Sequence, residues 1–308
     1  MALLTNRLVE VGAKPFTSRE FWMTFPSEQS LIGLLDMSRD QIATHLVASD
    51  DMATRIRVLL DASRALIFES ERLEESGIKL LTAVDDSYPL RLRDALREQC
   101  PVSLLVAGPV DWFSEPSVGI VGSRGISDEA SEAAADVARA ATRGGFGVVS
   151  GLARGIDQVS MSAGLDAGGR VCGIPTEGIR TIARRADIRA AIHDGVLALA
   201  SPYGPDAPFS VGNAMGRNKM IYGSADMTVV ITSDEGKGGT WGGATEALDK
   251  HYGRVFVWCG PGIGPGNAAL IKRGAVVLER LDDDRWLTVT DPADTAGLSR
   301  VSESPRLF

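Results

Sequence analysis

From residue 78 onward, short apolar runs alternate with longer stretches in which apolar positions recur every three or four residues. The runs at 78–84, 104–106, 118–121, 146–149, 171–174, 196–200, 227–231, 255–258 and 275–278 are apolar on both faces, as strands covered on two sides are. Between them the helical period predicts helices at 90–96, from Ser127 to Gly144, at 156–167, 182–192, 213–222, 240–252 and 267–272. Ser127, followed by Asp128 and Glu129, is a strong helix start: its hydroxyl caps backbone N–H groups and the acids suit the helix dipole. Strands alternating with helices predict an α/β chain, a mostly parallel sheet with helices on both faces.

Ahead of residue 78 the pattern is helical only. Leu31, Ile32, Leu34 and Leu35 form one apolar cluster, and Ile56, Leu59, Leu60, Leu66 and Ile67 another, with Gly77 as the terminating C′ residue. Residues 1–77 thus read as a small helical module, its first 26 residues less periodic and expected to be partly disordered. Residues 78–281 read as the α/β domain. Residues 282–308, acidic and then polar, read as a tail too short for another domain.

Composition narrows the setting. The 308 residues are 44% hydrophobic and 23% charged, ordinary for a soluble globular protein. No apolar run reaches the ~18 residues of a membrane span, and the start lacks the pattern of a secretory signal. Three cysteines far apart, Cys100, Cys172 and Cys259, suit a reducing cytoplasm. A formal net charge of -8 argues against a broad basic surface for duplex DNA, while leaving room for a local cationic pocket.

Candidate chemistry gathers where strands hand over to helices, the rim at which open parallel sheets bind ligands. Gly122-Ser123-Arg124 offers free backbone amides and a guanidinium to an anion. Ser150-Gly151-Leu152-Ala153-Arg154-Gly155-Ile156-Asp157 repeats that geometry, with Gly151 and Gly155 allowing close backbone approach; Asp157 either caps its helix or orients Arg154. Arg217-Asn218-Lys219 places two cations at what reads as a helix start, against the dipole, which points to an anion nearby. Lys237-Gly238-Gly239-Thr240 resembles a phosphate loop without the spacing of a nucleoside-triphosphatase, and 260–266 forms a further glycine-rich turn. Arg180, Arg184, Arg185 and Arg189 make a second basic cluster, a solvated face or an extension of a nucleic-acid track. Tyr203, Phe209 and Trp241 are candidate stacking rings, or core. No zinc or nucleophile-elbow pattern is present, and His45, His193 and His251 fall in predicted helices, so neither a metal nor a catalytic triad is expected.

The order of these motifs resembles the DNA-processing protein A family, also called Smf, a branch of the Rossmann-like superfamily. The matching residues are Tyr88-Pro89 with Leu92, Gly122-Ser123-Arg124, the phrase from Ser150 to Asp157, Arg217-Asn218, Val255-Phe256 with Gly260, and Gly266 with Leu270-Ile271 and Gly274-Ala275. The resemblance implies binding of single-stranded DNA, a homodimer and delivery of a RecA-type recombinase, with no cofactor. It places phosphate or base contacts at Ser123, Arg124, Ser150, Gly151, Arg154, Arg217 and Asn218, extended to Gly122, Gly155, Lys219, Lys237, Gly238, Gly239 and Thr240. Departures are Ser160-Met161 where members commonly have Ala-His, Gly238-Gly239-Thr240 in place of a Ser-Gly-Ser/Thr turn, and no winged-helix module after residue 281. A rival resemblance, to nucleoside 5′-monophosphate phosphoribohydrolases, rests on Arg217, Lys219, Gly238–Thr240 and Glu246; there Arg217 and Glu246 would act at a glycosidic bond. A third reading takes the pocket as a nucleotide sensor.

Overall fold

The structure, a computed structural model, describes residues 1–5, 8–281 and 285–288. In chain order the helices are α1 (Ser18–Thr24), α2 (Arg39–Leu46), α3 (Asp50–Leu60), α4 (Ser63–Glu75), α5 (Leu90–Leu96), α6 (Asp128–Arg143), α7 (Ile156–Asp166), α8 (Ile179–Ala183), α9 (Ala186–His193), α10 (Val211–Ser224), α11 (Gly238–Lys250), α12 (Asn267–Lys272) and α13 (Arg285–Thr288). The strands are β1 (Ile78–Thr82), β2 (Ser103–Ala107), β3 (Ser117–Val121), β4 (Gly147–Ser150), β5 (Val171–Gly173), β6 (Leu197–Ser201), β7 (Met227–Val230), β8 (Arg254–Trp258) and β9 (Val276–Leu278). Two compact units result: Met1–Glu115 with Cys172–Ser224, and Pro116–Val171 with the described residues from Ala225 on. No helix among the described residues is long and apolar enough to cross a membrane.

The first unit carries the helical module and an antiparallel run of strands. β1 pairs with β2 (Leu80 opposite Leu105) and β2 with β6 (Val106 opposite Ala200), both antiparallel. Reciprocal capping boxes start α1 (Thr17 with Glu20) and α2 (Ser38 with Gln41), satisfying donors that a helix end leaves open. The opening residues differ from their expected partial disorder. Leu4, Phe16, Phe21 and Phe25 are buried in the module's core beside Leu34, Ile42 and Ile56. Their aromatic rings pack at 5.0–5.6 Å, and each buried phenylalanine contributes about 1.5–3 kcal/mol, so three side chains that make no extended helical repeat do the anchoring. Conversely, residues 28–31 form only a 3-10 turn, and Ile32, Leu35 and Ile67, expected in the core, are more than half exposed. The helix expected over 182–192 is two short helices, α8 and α9.

The second unit is a parallel sheet in the order β4-β3-β7-β8-β9, with Val118 opposite Val148, Ile120 opposite Val229, Val229 opposite Phe256, and Val257 opposite Val277. The chain leaves β3 through α6 toward β4 on one side, and leaves β7 through α11 toward β8 on the other. Right-handed crossovers running in opposite directions put α6 on one face and α11 and α12 on the other. The boundary between β3 and β7 is therefore a topological switch point, the place at which open α/β sheets bind ligands. Within the stretch read as a tail, α13 belongs to this unit's core: Trp286 is buried edge-on to Phe256, and Leu287 fills the space a side chain at Gly144 would need. The remainder of 282–308 lies outside the described residues.

Candidate nucleic-acid interface

At the switch point the loops after β3, β4 and β7 are tied into one rim. Ser123 N–H donates to Thr232 O at 3.2 Å, joining the β3 and β7 loops. Ile156 N–H reaches Ser123 O at 3.4 Å, joining the β4 loop. Gly155, at φ 86°, lies so close that a Cβ there would stand 2.5 Å from Ser123 O and 2.7 Å from Arg124 O. Gly122 has no room for a Cβ against Ile156. Leu152 holds a left-handed φ of 60°, a conformation that costs a non-glycine residue about 1 kcal/mol or more and concentrates at functional loops. Glycine at 122 and 155 is thus the condition for the two arginine-bearing loops to meet.

Arg124 and Arg154 project from these loops into solvent, and neither forms an ion pair or hydrogen bond with a described residue. Lys237, exposed in the loop after β7, is equally unpaired among the described residues. Gly238, Gly239 and Thr240 form the first turn of α11, which has no side-chain cap. The backbone is less available than expected. Ser123 N–H is engaged by Thr232, and the N-terminus of α6 already holds the Ser127 hydroxyl (3.3 Å to Ala130 N–H) with Asp128 and Glu129. The Glu129 carboxyl is held below its ordinary range by the Ser127 hydroxyl and then by a backbone N–H. Ser150, expected to offer its hydroxyl to a ligand, is fully buried and donates to Ile120 O at 2.6 Å. Gly151 is buried beside it. Asp157, also buried, accepts from Ala153 N–H at 3.4 Å, so its carboxylate braces its own loop.

Asn267, which the sequence reading passed over, holds the far side of the rim. Its Nδ2 donates to Ile231 O at 2.8 Å and Trp258 O at 3.0 Å, while its Oδ1 accepts from Ser233 N–H at 3.0 Å. One buried amide therefore locks the ends of β7 and β8 and the start of the Lys237 loop. Gly264 and Gly266 press against Ser233 and Asp234, and Gly262 against the start of α6, without room for side chains. The available signal was an asparagine opening a helix directly after a glycine-rich turn.

Arg217, Asn218 and Lys219 are placed differently from expectation. They sit midway along α10 in the first unit, not at a helix start, so the dipole argument does not apply to them. Arg217 is buried, and Lys219 Nζ donates to Gln99 Oε1 at 2.9 Å. Glu246, its rival partner in the hydrolase reading, belongs to the second unit and accepts from Tyr252 OH at 3.0 Å. In the second basic cluster, Arg180 pairs with Glu69 at 2.5 Å and Asp206 at 3.5 Å, and Arg185 with Asp187 at 3.0 Å. Arg184 and Arg189 are exposed. Phe209 is an exposed ring, Tyr203 is half-buried with its hydroxyl on Asn213 O at 2.6 Å, and Trp241 is half-buried in α11. Tyr88 is structural: its hydroxyl contacts Cys100 Sγ at 3.1 Å and Pro101 O, and burial raises the pKa of both groups, the Cys100 thiol to about 12.

The sequence matches the family described as DNA recombination-mediator protein A over residues 79–285. It is 29% identical over 215 residues to the DNA processing protein DprA of Bacillus subtilis, covering 68% of this chain and 71% of that one. To protein Smf of Escherichia coli it is 29% identical over 278 residues, with 84% and 72% covered. The fold matches the structure of DNA processing protein A from Streptococcus pneumoniae with a TM-score of 0.65 at 22% identity, over 88% of this chain and 98% of that one. It also matches the Helicobacter pylori DNA processing protein A, whose structure describes single-stranded DNA binding, with a TM-score of 0.56 at 19% identity, covering 68% and 94%. With a family match spanning both units and a rim built from the motifs that first suggested it, the chain belongs to the DNA recombination-mediator protein A family.

Proposed function

We propose that the chain binds single-stranded DNA along its phosphate backbone at the switch-point rim of the second unit. The observation that carries this reading is the pair of exposed guanidiniums, Arg124 and Arg154, unpaired among the described residues and carried on loops whose backbones are packed onto one another. Two guanidiniums held by a rigid frame offer bidentate contacts to neighbouring phosphates with little ordering cost. Lys237 adds a third positive charge, and Gly238, Gly239 and Thr240 add helix-terminal amides. The single-stranded DNA binding of the Helicobacter pylori relative supports the choice of ligand. Asp128, Glu129, Asp234 and Glu235 flank the rim and disfavour a broad track for duplex. The family match favours this reading over hydrolysis of a glycosidic bond.

The proposal extends to what family resemblance implies, a homodimer that hands its strand to a RecA-type recombinase. Anisotropy of a labelled oligo-dT of about 20 nucleotides, with a matching duplex as control, tests the binding. Affinity that grows with oligonucleotide length and prefers the single strand is expected; equal affinity for duplex, or none at low salt, contradicts it. Light scattering and recombinase-dependent strand exchange test the two further steps.

A further inference from the structure

Lys219, expected as a phosphate ligand, belongs to the first unit. With Gly216 and Met220 on the same face of α10, it lines a cavity of about 440 Å³ inside the first unit. That volume lies within the ~300–1,000 Å³ of small-molecule sites. Phe16, Pro101, Val102 and Met220 give it apolar walls, and Tyr203 and Pro202 close one side. The Tyr203 ring is fixed by its hydroxyl on Asn213 O at 2.6 Å, and the lack of a side chain at Gly216 makes room for that hydroxyl, since a Cβ there would stand 2.8 Å away.

The polar lining is rich in donors. Among the described residues the Lys219 ammonium meets one partner, the neutral carbonyl of Gln99, and keeps two N–H bonds to give. Ser18 and Ser103 line the same space, and their hydroxyls have no hydrogen-bond partner among the described residues. The remaining charged groups, Arg19 and Glu98, neutralise each other at 3.3 Å in solvent, leaving Lys219 as the uncompensated charge among the described lining residues. A half-buried cation beside hydroxyls and a fixed ring face suits an anionic head on a flat body.

We propose that this cavity is a binding site for a small organic phosphate carrying a planar ring, of the size of a nucleoside monophosphate. Lys219, Ser18 and Ser103 take the phosphate, and the ring lies against the wall that Phe16, Met220 and Tyr203 line. The site is separate from the DNA-binding reading and does not depend on it.

Titration calorimetry of the full chain with thymidine 5′-monophosphate, thymidine and inorganic phosphate tests this. Saturable one-to-one binding of the monophosphate is expected, with thymidine and inorganic phosphate each weaker. Lys219→Met, which keeps the stem, should weaken the monophosphate by about 10-fold or more while leaving thymidine unchanged. Tyr203→Leu should weaken monophosphate and thymidine alike, and serves if the first variant misfolds. The double variant R124A/R154A should keep wild-type monophosphate affinity, which separates this site from the rim. No saturable binding of the monophosphate at millimolar concentration, or binding indifferent to Lys219→Met and Tyr203→Leu, overturns the proposal.

Discussion

The loops after β3 and β4 and the middle of α10 each combine glycine with arginine or lysine, yet they use their cations in opposite ways. In the loops, glycine lets two backbones touch, and the arginines they carry are pushed into solvent without partners among the described residues. In α10, Arg217 is buried and Lys219 is turned toward a cavity wall where Gln99 receives it. A cation near glycine is therefore no guide to its availability. What decides is whether glycine shapes a strand-to-helix turn, whose side chains point off the sheet edge, or a helix, whose side chains are shared with neighbours.

The sharpest way to break the contrast is to spoil the loop contact itself. Gly155→Val puts a β-branched side chain at φ 86° and into Ser123 O, so a loss of several kcal/mol in urea unfolding is expected, with DNA binding lost alongside. Asn267→Leu comes next. It leaves Ser233 N–H, Ile231 O and Trp258 O without their buried partner, at a cost of about 2–4 kcal/mol in the same assay. The functional side chains should behave in reverse. R124A/R154A is expected to leave stability within about 0.5 kcal/mol of wild type. Its affinity for oligo-dT at low salt should fall by about 10-fold or more. Lys219→Met should change oligo-dT affinity by less than about 2-fold if Lys219 serves the first unit's cavity alone.

A smaller effect separates buried thiols from exposed charges. Burial raises the Cys100 thiol to about 12 and pushes Cys172 higher still. The folded state then holds these protons more tightly than the unfolded chain, whose thiols ionise near ~8.5. Stability from this source is complete below that pH and declines as pH rises through about 12, visible as a falling midpoint in thermal scans between those limits. Native alkylation at pH 8 should reach half-buried Cys259 before either of the other two.

Much of the fold was legible because its signals are local. Nine apolar runs mark nine strands, the Ser127 cap starts α6, and Gly77 closes α4 at φ 73°. The parallel core of the second unit follows from strands apolar on both faces. Harder to read were features set by distant partners. Phe16, Phe21 and Phe25 offer one helical pair and no longer repeat, yet they close the module's core because α2 and α3 bring Ile42 and Ile56 to meet them. The antiparallel pairing of β1, β2 and β6 depends on strand order rather than on composition. At the site, glycine spacing revealed the rim loops, but not that the Ser150 hydroxyl is consumed by Ile120 O, nor that Asn267 clamps three backbone groups. Hydrogen bonds between residues 30 or more positions apart leave no periodic trace.

The most direct measurement is the salt dependence of oligo-dT binding by wild type and R124A/R154A. If the two arginines each neutralise a phosphate, log affinity against log salt should be shallower in the double variant by about 1.4, with both lines converging at high salt. Parallel lines, with affinity unchanged at every salt concentration, would contradict a DNA-binding rim built on Arg124 and Arg154.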